Sequence, residues 1–286
     1  MKVFFKSEMN VRENDSMSPS AGKPMQVLRH WETNHPNKIR VKDFSPLTKE
    51  DLYLAHDPAY VDGVMSLRAV NGFGNKSQSI AESLLYTSGS LYAAAVEALK
   101  YGGATCSPTS GFHHAGYKTA WGFCTFNGLV IAARKVVEED KLAKTVTVID
   151  CDQHVGDGTR NIVNELKLNY INLWSFGEYL QDQKRFSEEQ FLKDLYEQMM
   201  ATTSDLIIYQ AGADPHVDDP LGGKLSTEGM RKRDEIVFSV AKQKGIPVVW
   251  NFAGGYQEMG VLFELHTNTL LESFKSIKDN KVYLTS

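Results

Sequence analysis

The stretch TVTVIDCDQHVGDGT, residues 145–159, joins an apolar run to a dense group of titratable side chains. Val146, Val148 and Ile149 are β-branched, and such a run reads as a buried strand. Asp150, Asp152, His154 and Asp157 come directly after it. Ionisable groups at the end of a buried strand are costly unless something pairs with them. A divalent cation together with hydrogen-bonded histidines would supply that pairing.

Working outward, NGLVIAARKVVEED (127–140) reads as a helix before this strand and YINLWS (170–175) as the next strand. SQSIAESLLYTSGSLYAAAVEALK (77–100) repeats apolar residues at helical spacing, through Ile80, Leu84, Leu91, Ala95 and Leu99. ATC (104–106), DLIIYQAG (205–212) and IPVVWNFAGG (246–255) read as further strands. SEEQFLKDLYEQMM (187–200) reads as an amphipathic helix opened by Ser187, with acids in its first turn. Thr227–Lys244 and FELHTNTLLESFKSI (263–277) read as the last helices, and KVYLTS (281–286) as a terminal strand. Short strands separated by longer helices predict an α/β fold: a single-domain, three-layer α/β/α arrangement around a central, mostly parallel sheet. No Pro/Ser-rich linker divides residues 1–286. Residues 1–60 are less regular, with a helix start capped by Thr48 and a loop from Asn14 to Lys23.

The composition, 42% hydrophobic and 23% charged, is that of an ordinary globular chain. A net charge of −4, with no basic run or stripe, argues against a nucleic-acid partner. No segment has the roughly 20 apolar residues of a membrane span. Lys6 interrupts the apolar start MKVFF too early for a secretory leader, so a cytoplasmic location is expected. Cys106, Cys124 and Cys151 are odd in number and widely spaced, which fits reduced thiols.

In open α/β sheets ligands bind beyond the carboxyl ends of the strands. Here the segment after ATC brings His113 and His114. The segment after TVTVI brings Asp150, Asp152, His154 and Asp157. Those after DLIIYQ and IPVVWNF bring Asp214 and Tyr256. Asp152 and His154, two apart, would share a face of an extended segment. With Asp214 they make a three-ligand set suited to catalytic Zn²⁺, and equally acceptable to Fe²⁺ or Mn²⁺. Asp150 and Asp157 remain to orient the two histidines, giving a general base and a general acid. Tyr256 would donate to a developing oxyanion. Taken singly these motifs also fit plain turns, adjacent surface histidines and a packed tyrosine. Their convergence on one edge is the distinguishing feature.

GFHHAG, WGFCTFN, DCDQHVGDGT, AGADPHVDDPLG and GGY together resemble the histone deacetylase superfamily, which includes acetylpolyamine amidohydrolases and shares its fold with arginases. The resemblance runs over roughly residues 18 to 284. It implies Asp152, His154 and Asp214 as zinc ligands, His113 and His114 as the tandem histidines, and Asp150 and Asp157 as their carboxylate partners. It implies Tyr256 as the carbonyl-polarising tyrosine, and Gly122 and Phe123 as part of the acyl-lysine tunnel. A K⁺ beside the zinc would be held by Asp150, by the backbone of Asp152 and His154, and by Ser175 with Phe176. Val155 stands where the family has a second histidine, and FGEYLQDQKRF (176–186) replaces the loop carrying the second tunnel phenylalanine.

The expected reaction is zinc-dependent hydrolysis that removes an acetyl or other short acyl group from an amine such as acetyl-lysine or an acetylpolyamine. His114, or the histidine pair, would move the protons. The partners implied are a small-molecule or peptide acyl-amine and, in an assembly, a second copy of the chain. Two other readings stay open at this point. One is an arginase-like dinuclear manganese ureohydrolase using Asp218 and Asp219; the other is a non-catalytic acyl-amine binder.

Overall fold

The central strands are largely apolar and buried at every position, which only a sheet covered on both faces can satisfy. In the computed structural model of the chain, which describes residues 1–11 and 18–276, seven strands make one all-parallel sheet. In chain order the elements are β1 (Lys2–Phe4), α1 (Lys23–Asn34), β2 (Arg40–Lys42), α2 (Lys49–Leu52), α3 (Pro58–Met65), α4 (Gln78–Tyr101) and β3 (Ala104–Ser107). Next come α5 (Gly128–Arg134), β4 (Val146–Asp150), α6 (Asp157–Glu165), β5 (Ile171–Ser175), α7 (Phe176–Asp182) and α8 (Glu188–Ala201). The last are β6 (Leu206–Gln210), α9 (Thr227–Lys244), β7 (Val248–Asn251) and α10 (Met259–Ser273). The sheet order is β2-β1-β3-β7-β6-β4-β5. The central strands β3, β7, β6 and β4 are buried throughout, whereas the edge strand β2 is largely exposed.

Crossovers between parallel strands are right-handed. Moves from β2 to β3, β3 to β4 and β4 to β5 run one way along the sheet, so α4, α5 and α6 fall on one face. Moves from β1 to β2, β5 to β6 and β6 to β7 run the other way and place α1, α8 and α9 on the opposite face. The packing agrees: α4 meets α5 and α5 meets α6, while α8 meets α9, α9 meets α10 and α10 meets α1. The loops leaving β3 and β4 therefore part from those leaving β7 and β6, and the clefts that open at these junctions are where such sheets bind ligands.

Polar anchors join the layers. Trp31 of α1 is fully buried, stands edge-on to Phe252, and donates its indole N–H to Thr267 of α10 at 3.1 Å. Arg233 of α9 is also buried. It pairs with Asp234 and donates to the carbonyl oxygens of Cys151 and Gly212, which close β4 and β6. Thr48 and Ser187 cap their helices as the sequence suggests, and Ser226 caps α9.

The structure departs from the sequence reading in places. Residues 1–60 hold two strands and three helix starts, because β1 and β2 are only three residues long and too short to show a period. Helix α5 passes into a π-helical turn at Lys135–Glu139. Helix α10 starts at Met259, ahead of the apolar run that announced it. Ser18–Gly22 contains a 3-10 turn, and Lys23 is already helical. The rest of that loop and the terminal KVYLTS lie outside the described residues.

Candidate metal centre and active site

Strand β4 stops at Asp150 and the chain turns sharply before α6 begins at Asp157. Asp152 and His154 thus lie in a bend, not on an extended face, and they converge because the backbone folds back. Asp152 Oδ1 accepts the His154 backbone N–H at 3.0 Å. Asp214 arrives from the loop after β6. One donor atom from each of Asp152, His154 and Asp214 lies within 4.8 Å of the others.

This set fits a metal ion. His154 Nδ1 lies 3.0 Å from Asp152 Oδ1 and 3.1 Å from Asp214 Oδ2, but one N–H cannot satisfy both oxygens. Asp214 Oδ2 is buried with no well-aligned hydrogen-bond donor. Three lone pairs aimed at one point, two of them anionic, match the ligand count and type of a catalytic divalent site with an open position. The electrostatics agree. The carboxylates of Asp152 and Asp214 push His154 up to about 10, and burial together with the Asp152 charge pushes Asp214 up to about 7. Protons accumulate where a cation is called for.

The histidines come from the loop after β3. The backbone turns into the left-handed region at Gly111 (φ 87°) and Phe112 (φ 84°), which swings both imidazoles over the sheet edge. His113 Nδ1 is 2.8 Å from Asp150 Oδ2, and His114 Nδ1 is 2.6 Å from Asp157 Oδ1. Asp150 Oδ1 accepts from Gln210 Nε2 at 3.0 Å and from the Asp152 N–H at 3.2 Å. The two pairs differ in their electrostatic surroundings. Burial opposes a charged His113, but the Asp152 and Asp150 carboxylates outweigh it and hold the group up at about 9. Burial, then the neighbouring His113, lowers His114, so that imidazole stays neutral near pH 7.

Tyr256 lies after β7 in a loop with Ala253 at φ 50° and Gly255 at φ 130°. Burial and the carboxylates of Asp152 and Asp214 push its phenol upward, so it remains a donor. Phe123 stands across from it, with ring centroids 6.0 Å apart. Trp121 and Cys124 exchange backbone hydrogen bonds around Gly122 (φ 55°) and Phe123 (φ 63°), a turn with both central residues left-handed. Gly122 is required there, since a Cβ would fall 2.5 Å from His114 Cδ2. Beside the histidines an open trough of about 640 Å³ is walled by Trp121, Val155, Leu180, Gln181 and Lys224. Helix α7, from the segment FGEYLQDQKRF, supplies Leu180 and Gln181 to this wall.

Sequence reasoning missed Lys23 and Trp121, and it weighed Asp219 only as a ligand of a second metal. Lys23, fully buried, donates to the carbonyl oxygens of Ala253 at 2.7 Å and Gly254 at 3.0 Å. Asp219 accepts the backbone N–H groups of Tyr256 and Leu221, each at 2.9 Å. Trp121 donates to Asp157 Oδ2 at 3.2 Å. Lys23 carries no local signal, whereas Asp219 and Trp121 sit inside AGADPHVDDPLG and WGFCTFN, where a polar or aromatic side chain beside the site was a visible candidate.

Residues 20–180 and 179–270 match the sequence model of the histone deacetylase domain. The chain belongs to the histone deacetylase family. It is 31% identical to an uncharacterized Picosynechococcus protein over 72% of this chain and 75% of that one. It is 30% identical to histone deacetylase 2 of Arabidopsis thaliana over 52% of this chain, a match that spans 43% of the plant protein. The fold matches the crystal structure of an HDA15 HD domain, with a TM-score of 0.76 at 18% identity over 97% of this chain and 89% of that one. Membership places the chain with deacetylases and amidohydrolases, on the α/β fold expected from its sequence. Among the described residues, no helix is long and apolar enough to cross a membrane.

Proposed function

We propose that this histone deacetylase-family chain is a zinc-dependent amidohydrolase that removes an acetyl or other short acyl group from an amine, such as acetyl-lysine or an acetylpolyamine. The observation that carries this reading is the meeting of the Asp152–His154–Asp214 cluster with two carboxylate-held histidines. A cation held by those three side chains would polarise the amide carbonyl and acidify bound water. The remaining work falls to the protein. His114, neutral and fixed by Asp157, takes the proton of the attacking water and returns it to the leaving amine. His113, fixed by Asp150, stands beside His114 against the same centre. Tyr256 donates its O–H to the oxyanion, while Phe123 and Gly122 border the approach to it. A monovalent ion such as K⁺ would sit where β4 and β5 end together. Asp150 pairs there with Ser175, and Gly177 packs so closely that a Cβ would fall 2.2 Å from the His154 carbonyl carbon. Gly177, which follows Ser175 and Phe176, is thereby packed against the His154–Val155 backbone.

The geometry does not favour the dinuclear alternative. Asp218 is exposed, and both oxygens of Asp219 already accept backbone N–H groups. The test is turnover of a panel of acetyl-lysine peptides, acetylputrescine, acetylspermidine and acetylcadaverine by protein loaded with one metal equivalent. One zinc per chain and amine release support the reading. No hydrolysis across the panel at full zinc loading would make the chain a binder, and two manganese ions per chain would make it a ureohydrolase.

A further inference from the structure

Trp121 lies outside the roles assigned so far, yet its contacts are specific. It is half-exposed, at 51%. Its indole N–H donates to Asp157 Oδ2 at 3.2 Å, while Asp157 Oδ1 takes the His114 Nδ1–H at 2.6 Å. Its ring lies 4.0 Å from that of His114, centroid to centroid, and His113 lies 4.0 Å from the same imidazole. His114 is therefore held between two rings, by a carboxylate with both oxygens engaged.

That second bond matters because the Asp157 side chain is 47% exposed. An exposed carboxylate rotates freely and exchanges its partner for water, whereas one gripped at both oxygens has a single orientation. The turn that carries Trp121 is built against the same imidazole. Phe123 tolerates a left-handed backbone that is rare for a bulky residue, the kind of local strain that clusters at functional sites.

We propose that Trp121 is a positioning residue for the His114–Asp157 pair. Its N–H fixes the carboxylate, and its ring covers one face of the imidazole so that Nε2 is aimed at the reacting centre. The assignment rests on the amidohydrolase reading above.

The experiment uses zinc-loaded full-length protein, Trp121→Phe, Trp121→Ala, Asp157→Ala and the Trp121→Phe/Asp157→Ala double variant, each with its zinc content measured. General acid–base groups contribute about 10²–10⁴-fold, and losing orientation while keeping the group removes part of this. Trp121→Phe is expected to lower kcat on the order of tenfold with KM within about twofold. Trp121→Ala is expected to lose more. In the Asp157→Ala background the same Phe substitution changes kcat by less than about twofold, because its route of action is gone. In ¹⁵N-labelled protein the Trp121 indole resonance, assigned by its disappearance in Trp121→Phe, moves upfield in Asp157→Ala. A wild-type kcat in Trp121→Phe, a loss confined to KM, additive effects in the double variant or an unmoved indole resonance each overturns the proposal. If the resonance moves but the wild type hydrolyses no acyl-amine, the amidohydrolase reading fails, and the role of Trp121 in it fails too. If the wild type hydrolyses and the resonance is fixed, only the Trp121 proposal falls.

Discussion

Gly254→Ala tests the metal centre through a backbone atom instead of a ligand. A Cβ at this position would lie 2.4 Å from Asp214 Oδ2, 2.5 Å from Asp214 Cγ and 2.7 Å from Asp152 Oδ2. The backbone cannot retreat, because the Gly254 N–H donates to Asp152 Oδ2 at 2.9 Å and its carbonyl accepts from Lys23 at 3.0 Å. Both carboxylates are buried, short side chains held among packed neighbours. The strain therefore falls on two of the three proposed ligands. Changing groups that merely orient a ligand costs about 10–100-fold in metal affinity. Displacing two ligands is expected to reach the upper end, about 100-fold, or about 2.7 kcal/mol. Overpacking costs a further ~1–3 kcal/mol of stability, a fall of several degrees in Tm. The assay is a competitive zinc titration against a chromophoric chelator, with a circular-dichroism melt and turnover at limiting and excess zinc. Gly260→Ala is the control, since its Cβ meets nothing within 4 Å. Zinc affinity and turnover in Gly254→Ala equal to those of Gly260→Ala would refute the placement of the ion between Asp152 and Asp214.

Three further outcomes are expected. Tyr256→Phe should keep zinc and lose about 10²–10³ in kcat, the usual effect of deleting one oxyanion donor, and unchanged turnover of a fluorogenic acetyl-lysine substrate would count against its role. Stripping the metal with a chelator should abolish hydrolysis and lower Tm, and zinc at 1,000 times its Kd should restore about 4 kcal/mol; a Tm indifferent to zinc argues against the site. His56 is buried and pushed down to about 4 from 6.5, with one ring nitrogen at the Gly116 carbonyl oxygen and the other accepting the Asn127 N–H. Between those pH values the unfolded chain binds a proton that the folded chain refuses, so stability falls as pH drops from about 6.5 to 4, by about 3 kcal/mol in all. His56→Gln should be flatter with pH than the wild type over that window in urea midpoints, and a pH-independent difference between the two would sink the assignment.

The legible parts of the molecule were those with one dominant physical constraint. Strands β4 and β6 are buried at every position, so their apolar runs could mean little else. Helix α9 spans Thr227–Lys244 as its sequence indicated, and the structure closes it with the Ser226 cap and the left-handed Gly245. His113, His114, Asp150, Asp152, His154, Asp157, Asp214 and Tyr256 all lie at or just beyond the carboxyl end of a strand, and a parallel sheet sends every such segment to one edge. The bend that folds His154 back onto Asp152 was not legible, since the sequence spacing fits an extended segment equally well. Nor was the bond from Trp121 to Asp157, which joins residues far apart in sequence and depends on a turn with two left-handed residues.

The first 60 residues were the hardest to read, yet the site depends on them. Strands β1 and β2 extend the sheet past β3, and α1 carries Lys23 into the interior, where the ammonium meets two carbonyl oxygens but, among the described residues, no carboxylate. Burial pushes that amine down to about 8, and the fields of Asp214, Asp152 and Asp219 oppose the loss of its charge. A buried cation with only carbonyl partners is expensive in isolation. Here its charge offsets part of the excess of carboxylates around the proposed metal ligands. Its bonds also fix Ala253, held at φ 50°, together with Gly254. With those carbonyls fixed, the Gly254 N–H must face Asp152, and Asp219 takes the Tyr256 N–H from the other side. The backbone that carries Tyr256 is thus held jointly by an N-terminal helix and the loop after β6, both remote in sequence from the Gly-Gly-Tyr motif.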